Sequence, residues 1–128
     1  MQLLLDTVTF LWFVAGSRDL SRKAKDALRD PANDVFLSSV SAWEIAVKHR
    51  LGRLPLPDRP EVWIPEQRNA HAFEALPLDE AAALTLPRLP DLHRDPFDRM
   101  LICQALFERL TLVTPDEAVR AYPAPTLW

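Results

Sequence analysis

Four short apolar runs, "QLLLD", "DVFLSS", "AFEAL" and "LTLVT", recur along the chain, separated by segments with helical spacing. Runs of this length are too short for a core helix and suit strands buried on both faces. Each is followed by a helix pattern. "TVTFLWFVAG" is closed by Gly16, and "SRKAKDALRD" is capped by Ser21 and stopped by Pro31. "SAWEIAVKHRLG" has Ser41 as its expected N-cap, an apolar face, a basic last turn and Gly52 behind it. "PEVWIPEQRNA" reads as a helix interrupted at Pro65, and "DEAAALTL" as another. "PFDRMLICQALFER" has Pro96 at its first position, and "PDEAVRA" follows the last strand. Twelve prolines against two glycines punctuate the chain, densest at 55–65 and 87–96, where loops are expected. Strands alternating with helices predict an α/β fold: a central parallel sheet packed by helices on both faces. The length of 128 residues predicts one domain, 1–128. Right-handed crossovers put the carboxyl ends of all strands on one edge, where open α/β sheets bind ligands.

Four acids fall at that edge. Asp6 ends the first strand, Glu44 lies in the helix after the second, Asp98 opens the helix after "LPDLHRDP", and Asp116 follows "LTLVT". Each also has a plain structural reading. Ser41 to Glu44 and Thr114 to Glu117 have capping-box spacing, Asp95 can cap ahead of Pro96 with Asp98 at N3, and Asp6 can cap its own helix. Capping does not explain why all four junctions on one rim carry acids while no basic residue is adjacent to Asp6, Glu44 or Asp116. Clustered carboxylates repel, and a hard divalent cation removes that cost. An all-oxygen donor set favours Mg²⁺ or Mn²⁺ over zinc. Two such ions can activate water and stabilise the leaving oxygen in phosphodiester cleavage. The chain carries no P-loop, no G-x-G-x-x-G and no G-x-S-x-G.

Composition narrows the alternatives. The single cysteine, Cys103, excludes an internal disulfide framework and reads as a small buried apolar residue. "LLLDTVTFLWFVAG" lacks the basic start of a signal peptide and is broken by Asp6, and no apolar stretch reaches the ~18 residues that span a bilayer. A soluble, cytoplasmic protein is expected. A net charge of −3 disfavours coating nucleic acid by bulk charge, but leaves room for local phosphate contacts. Arg94 and Arg99, flanking Asp98, are expected to make them, with Lys48 on the Glu44 helix. His93 and His49 read as structural or exposed. Trp12, Phe13, Trp43 and Trp63 read as core.

The segments "LLLDT…LW", "SSVSAWEIAVKHRLGRLPLP", "LHRDPFDRMLICQAL" and "LTLVTPDEAVRAYP" resemble the PIN-domain family, especially the VapC-type toxins of bacterial toxin–antitoxin pairs. They occur in family order over nearly the whole chain. The resemblance implies a three-layer α/β/α fold with four to five parallel strands. It implies a Mg²⁺- or Mn²⁺-dependent endoribonuclease whose catalytic and metal-binding acids carry over to Asp6, Glu44, Asp98 and Asp116. Thr7 or Thr114 would add a hydroxyl. Asp95 would act behind the ligands, bind a metal's water or only cap its helix. Val8 stands where relatives often carry histidine, so any role of that imidazole is absent. RNA substrate, a cognate antitoxin and a homodimer are the implied partners, with no membrane. Trp12 and Trp63 are candidates for an antitoxin groove. A catalytically silent PIN module binding RNA or protein is the alternative. A phosphoacceptor receiver domain ranks below it, because "LTLVTPDE" offers no lysine.

Overall fold

The computed structural model describes residues 1–128. In chain order the elements are β1 (Gln2–Leu5), α1 (Thr7–Ala15), α2 (Arg22–Arg29), β2 (Asp34–Ser38), α3 (Ser39–Arg50), α4 (Pro60–Ala70), β3 (Glu74–Leu76) and α5 (Glu80–Ala83). A 3₁₀ turn (Leu86–Arg88), α6 (Pro96–Glu108), β4 (Thr111–Val113), α7 (Glu117–Arg120) and β5 (Thr126–Leu127) complete the chain. The five strands form one sheet in the order β3-β2-β1-β4-β5, every pair parallel. The order reverses at β1: the chain winds outward through β2 and β3, then returns to lay β4 and β5 on the other side.

The alternation along β1 explains the layers. Leu3 and Leu5 join the core formed with Phe10 of α1, Ala24 and Leu28 of α2, and Trp63 and Ile64 of α4. Leu4 points the other way, into the core formed with Leu101, Ile102 and Ala105 of α6 and Val119 of α7. All three leucines are fully buried, each such burial stabilising by about 1.5–3 kcal/mol. The result is the expected three-layer α/β/α arrangement, with five strands. Cys103 is fully buried on the α6 side, as expected.

Several local expectations are corrected. Ser38, not Ser41, caps α3, its hydroxyl accepting from Val40 N. Ser41 sits inside the helix, buried, and accepts from the Thr7 hydroxyl. Glu44 therefore lies in the second turn, beyond the reach of a capping box. The α4 helix runs through Pro65; burial of Trp63 and Ile64 offsets the backbone hydrogen bond that proline removes. The proline-rich stretch 55–65 is thus half helix. "DEAAALTL" forms one α-helical turn and then a 3₁₀ turn rather than one helix. Trp43 is not core but 55% exposed, its ring edge-on to Phe97 at 4.7 Å. Trp63 does lie in the core, against Phe10, so it cannot line a surface groove; Trp12 is half-buried against Trp128.

Gln104 sets the depth of α6. Its side chain accepts from the Ser38 hydroxyl and donates to Pro77 O at 3.3 Å, tying the middle of α6 to the carboxyl ends of β2 and β3. Asp95 fixes the helix start, its carboxylate accepting from Phe97 N at 2.9 Å and Asp98 N at 3.3 Å. Asp98 is therefore delivered to the sheet edge by a helix anchored at two points.

Candidate active site

β1 and β4 are neighbours whose onward connections leave in opposite directions, which opens a crevice past their carboxyl ends. Asp6 and Thr114 are the first residues beyond those strands. Asp6 N donates to Val113 O at 3.1 Å, continuing the ladder by one step. Asp6 stands at the N-cap position of α1 but makes no capping hydrogen bond. Its carboxylate turns into the crevice and accepts from the Thr114 hydroxyl at 2.6 Å. Burial raises its pKa from 3.8 to about 6; the Thr114 and Thr7 hydrogen bonds oppose that rise, and the charges of Glu44 and Asp116 add to it.

Asp98 faces the same space. Burial and then the Asp6 charge push its carboxyl to about 7, a hydrogen bond from His93 opposes the rise, and Asp95 and Glu44 add to it. Asp116 caps α7 through Oδ1, which accepts from Ala118 N at 2.9 Å. Asp116, not Thr114, is therefore the N-cap of α7. Its own N–H donates to Thr114 Oγ1 at 3.1 Å, so one hydroxyl connects Asp6 to Asp116.

Glu44 enters from α3, 5% exposed. Its Oε2 accepts from Lys48 one turn on, which raises the Lys48 pKa. The expectation that no base accompanies Glu44 is therefore wrong. The partner stands at i+4, adjacent on a helix surface though not in sequence. Glu44 Oε1 is buried and makes no hydrogen bond. A desolvated carboxylate oxygen left unpaired is costly unless a cation completes it. The donors that the four acids and Thr114 supply are carboxylates and a hydroxyl, which suit a hard divalent ion. Asp6, Glu44, Asp98 and Asp116 are thus brought together, with Thr114 between two of them and Thr7 bonded to Ser41.

His93 is the member that the sequence reading passed over. Its Nε2 lies 2.8 Å from Asp98 Oδ2 and 3.5 Å from Asp116 Oδ2. The only sequence signal was its position on the proline-bounded segment that leads into the Asp98 helix. His49 is structural, as expected, its Nδ1 2.9 Å from Leu54 O. Arg94 is exposed beside His93. Arg99 Nε is buried without a hydrogen-bond partner, and its charge opposes the burial-driven rise of the Cys103 pKa one turn along α6.

A five-stranded parallel sheet packed by helices on both faces, with acids past the ends of β1 and β4, places the chain among the three-layer α/β proteins. Within that class, the chain belongs to the PIN domain family, whose model matches residues 3–125. It is 33% identical over 63 residues to "Ribonuclease VapC16" of Mycobacterium tuberculosis (strain ATCC 25618 / H37Rv). That match covers 49% of this chain and 45% of the relative, so it spans less than half the relative's length. Among solved structures, VapBC2 from Rickettsia felis, bound to a DNA fragment from its promoter, aligns with a TM-score of 0.74 at 15% identity over 99% of this chain and 98% of that one. A toxin–antitoxin complex from Klebsiella pneumoniae aligns with a TM-score of 0.62 at 20% identity over 98% and 96%. These two likenesses concern the fold.

Proposed function

We propose that the protein is a metal-dependent endoribonuclease, the toxin of a toxin–antitoxin pair. The reading rests on Glu44 Oε1, a buried oxygen without a partner, near Asp6 and Asp98, whose pKa values are raised first by burial and then by neighbouring carboxylates. The relative's name, ribonuclease, supports the activity. Asp6, Asp98, Asp116 and Glu44 would hold Mg²⁺ or Mn²⁺. When bound, the ion would supply positive charge for a phosphate and activate water for attack on phosphorus. The chain's own groups prepare that chemistry. Thr114 orients Asp6, the Asp95 cap fixes Asp98, and Lys48 holds Glu44. Arg94 is the exposed cation nearest the pocket along the chain and is proposed to meet an RNA phosphate, while Lys48 is paired with Glu44.

A cognate antitoxin is the proposed partner, since the Klebsiella neighbour is itself a toxin–antitoxin complex. A homodimer is proposed through the α5–α6 side, where Leu84 and Phe107 are 66% and 43% exposed. No helix is long and apolar enough to cross a membrane, and a single domain acting in the cytoplasm is proposed. The test is cleavage of a single-stranded RNA pool with Mg²⁺ or Mn²⁺, against EDTA. Asp6→Ala and Asp98→Ala should each abolish cleavage. Undiminished cleavage by the double variant, or none by the parent protein with either ion, would overturn the assignment.

A further inference from the structure

One donor in the pocket is not an oxygen. His93 lies on the segment joining the 3₁₀ turn to α6, and that segment is pinned. The hydroxyl of Tyr122, a residue 3% exposed, accepts from His93 N at 2.8 Å and from Leu92 N at 3.1 Å. Two residues on, Asp95 locks the start of α6. The backbone that carries the imidazole is thus held on both sides of His93. His93 can offer one ring nitrogen, and Asp98 and Asp116 one carboxylate oxygen each, with all three atoms within 4.8 Å of one another. Neighbouring ligands on a six-coordinate ion with bonds of 2.0–2.1 Å lie ~3 Å apart. The observed separations of 2.8 and 3.5 Å from Nε2 fit that spacing.

We propose that His93 is a nitrogen ligand in this pocket and tilts its selectivity away from Mg²⁺ toward Mn²⁺ and the later first-row ions. The inference rests on the metal-dependent reading above. The chemistry is ligand softness: carboxylates alone suit Mg²⁺ and Mn²⁺ alike, whereas an imidazole favours the first-row ions in rising order from Mn²⁺ through Fe²⁺ and Co²⁺ to Ni²⁺ and adds least to Mg²⁺ binding. A histidine that merely oriented Asp98 by a hydrogen bond would change the affinity for both ions together.

The test uses the metal-stripped full chain. Calorimetric titration with Mn²⁺ and with Mg²⁺ gives the two affinities, and pulsed electron paramagnetic resonance of the Mn²⁺ complex reads directly bonded nitrogen. The parent protein should bind Mn²⁺ more tightly than Mg²⁺ and show an imidazole ¹⁴N coupling. His93→Ala should lose on the order of tenfold or more in Mn²⁺ affinity, change Mg²⁺ affinity by less than about threefold, and lose the coupling. His93→Gln, which supplies a hard amide oxygen, should bind Mg²⁺ as well as the parent does, without a nitrogen signal. Mn²⁺ bound by the parent with no nitrogen coupling, or equal losses for both ions in His93→Ala, would overturn the role of His93 and leave the acidic site standing. Failure of the parent to bind either ion would overturn both readings. The spectrum of the parent needs no variant to fold.

Discussion

Asp6→Asn should stabilise the metal-free protein at alkaline pH. Asp6 is 5% exposed, and its carboxyl titrates at about 6 rather than 3.8, chiefly because burial disfavours the charged form. A group whose folded pKa lies above its unfolded value contributes stability that is complete below the unfolded pKa. That contribution is lost as pH rises through the folded value. For Asp6 the window runs from 3.8 to about 6. At about 1.4 kcal/mol per pH unit, the loss comes to roughly 3 kcal/mol above pH 7. Asparagine has the same shape, stays neutral and still offers Oδ1 to the Thr114 hydroxyl. In a chain of this size 1 kcal/mol moves Tm by about 4 °C. The EDTA-treated variant should therefore melt roughly 8–12 °C above the parent near pH 8, but only ~2 °C above it near pH 4, where little of the loss has accrued. Mn²⁺ should reverse the order at pH 8, because an ion that binds only the folded parent raises only the parent's Tm. Circular-dichroism melts across this pH range, with and without EDTA, give the answer. A variant less stable than the parent near pH 8 in EDTA, or a gain equal at both pH values, would refute burial of the charge as the cause.

Two further substitutions probe the supports of the pocket, and a third tests the far end of α6. Thr114→Val removes the donor to Asp6 and the acceptor for Asp116 N. It should cost about 1–2 kcal/mol in urea unfolding and extend the pH dependence of the melt upward, since the Thr114 hydrogen bond holds the Asp6 pKa down. Tyr122→Phe leaves the N–H groups of Leu92 and His93 without their acceptor. It should cost about 1–3 kcal/mol and weaken Mn²⁺ binding more than Mg²⁺ binding; an unchanged urea midpoint would show that the hydroxyl supports nothing. Arg109 closes α6 in the left-handed region at φ 58. Arg109→Gly should raise stability by roughly 0.5–1 kcal/mol, measured by urea midpoint, with no effect on ion binding.

What could be read from the sequence depended on the range of the interactions concerned. The apolar runs and the acids that follow them are local features, and a parallel sheet turns chain order into a common edge. Asp6, Asp98 and Asp116 were legible for that reason. Lys48 was misjudged because only residues adjacent in sequence were weighed, although helical geometry makes i+4 the nearer neighbour. Ser41 was misassigned because Ser38, Ser39 and Ser41 offer three hydroxyls within four positions, and only the backbone turn selects the cap. β5 has two residues, preceded by prolines and bends and followed by Trp128, too few to show a period. Trp43 was hidden by an ambiguity in α3, a helix that carries Val40 into one core and Ile45 into the other, leaving the side between them open.

The position of the pocket follows from the winding order. β1 sits third in a five-stranded sheet, and the chain reaches β4 only after completing the other half. Any residue just past β1 must therefore face a residue just past β4, more than 100 positions later, as Thr9 Oγ1 to Val113 O at 2.8 Å and Thr114 to Asp6 already show. The β2–α3 junction brings Glu44 to the same edge, and α6, entering on its way to β4, brings Asp98. A carboxylate at any one of these junctions is an ordinary helix cap, as Asp95 and Asp116 still are. Asp6 forgoes its cap and Glu44 lies too deep in its helix to make one; Lys48 answers one oxygen of Glu44, and the other stays buried without a partner. Asp6 is held at the cost of its raised pKa, to which the Glu44 charge adds, and that cost is what a cation bound at this edge would offset under the proposed reading.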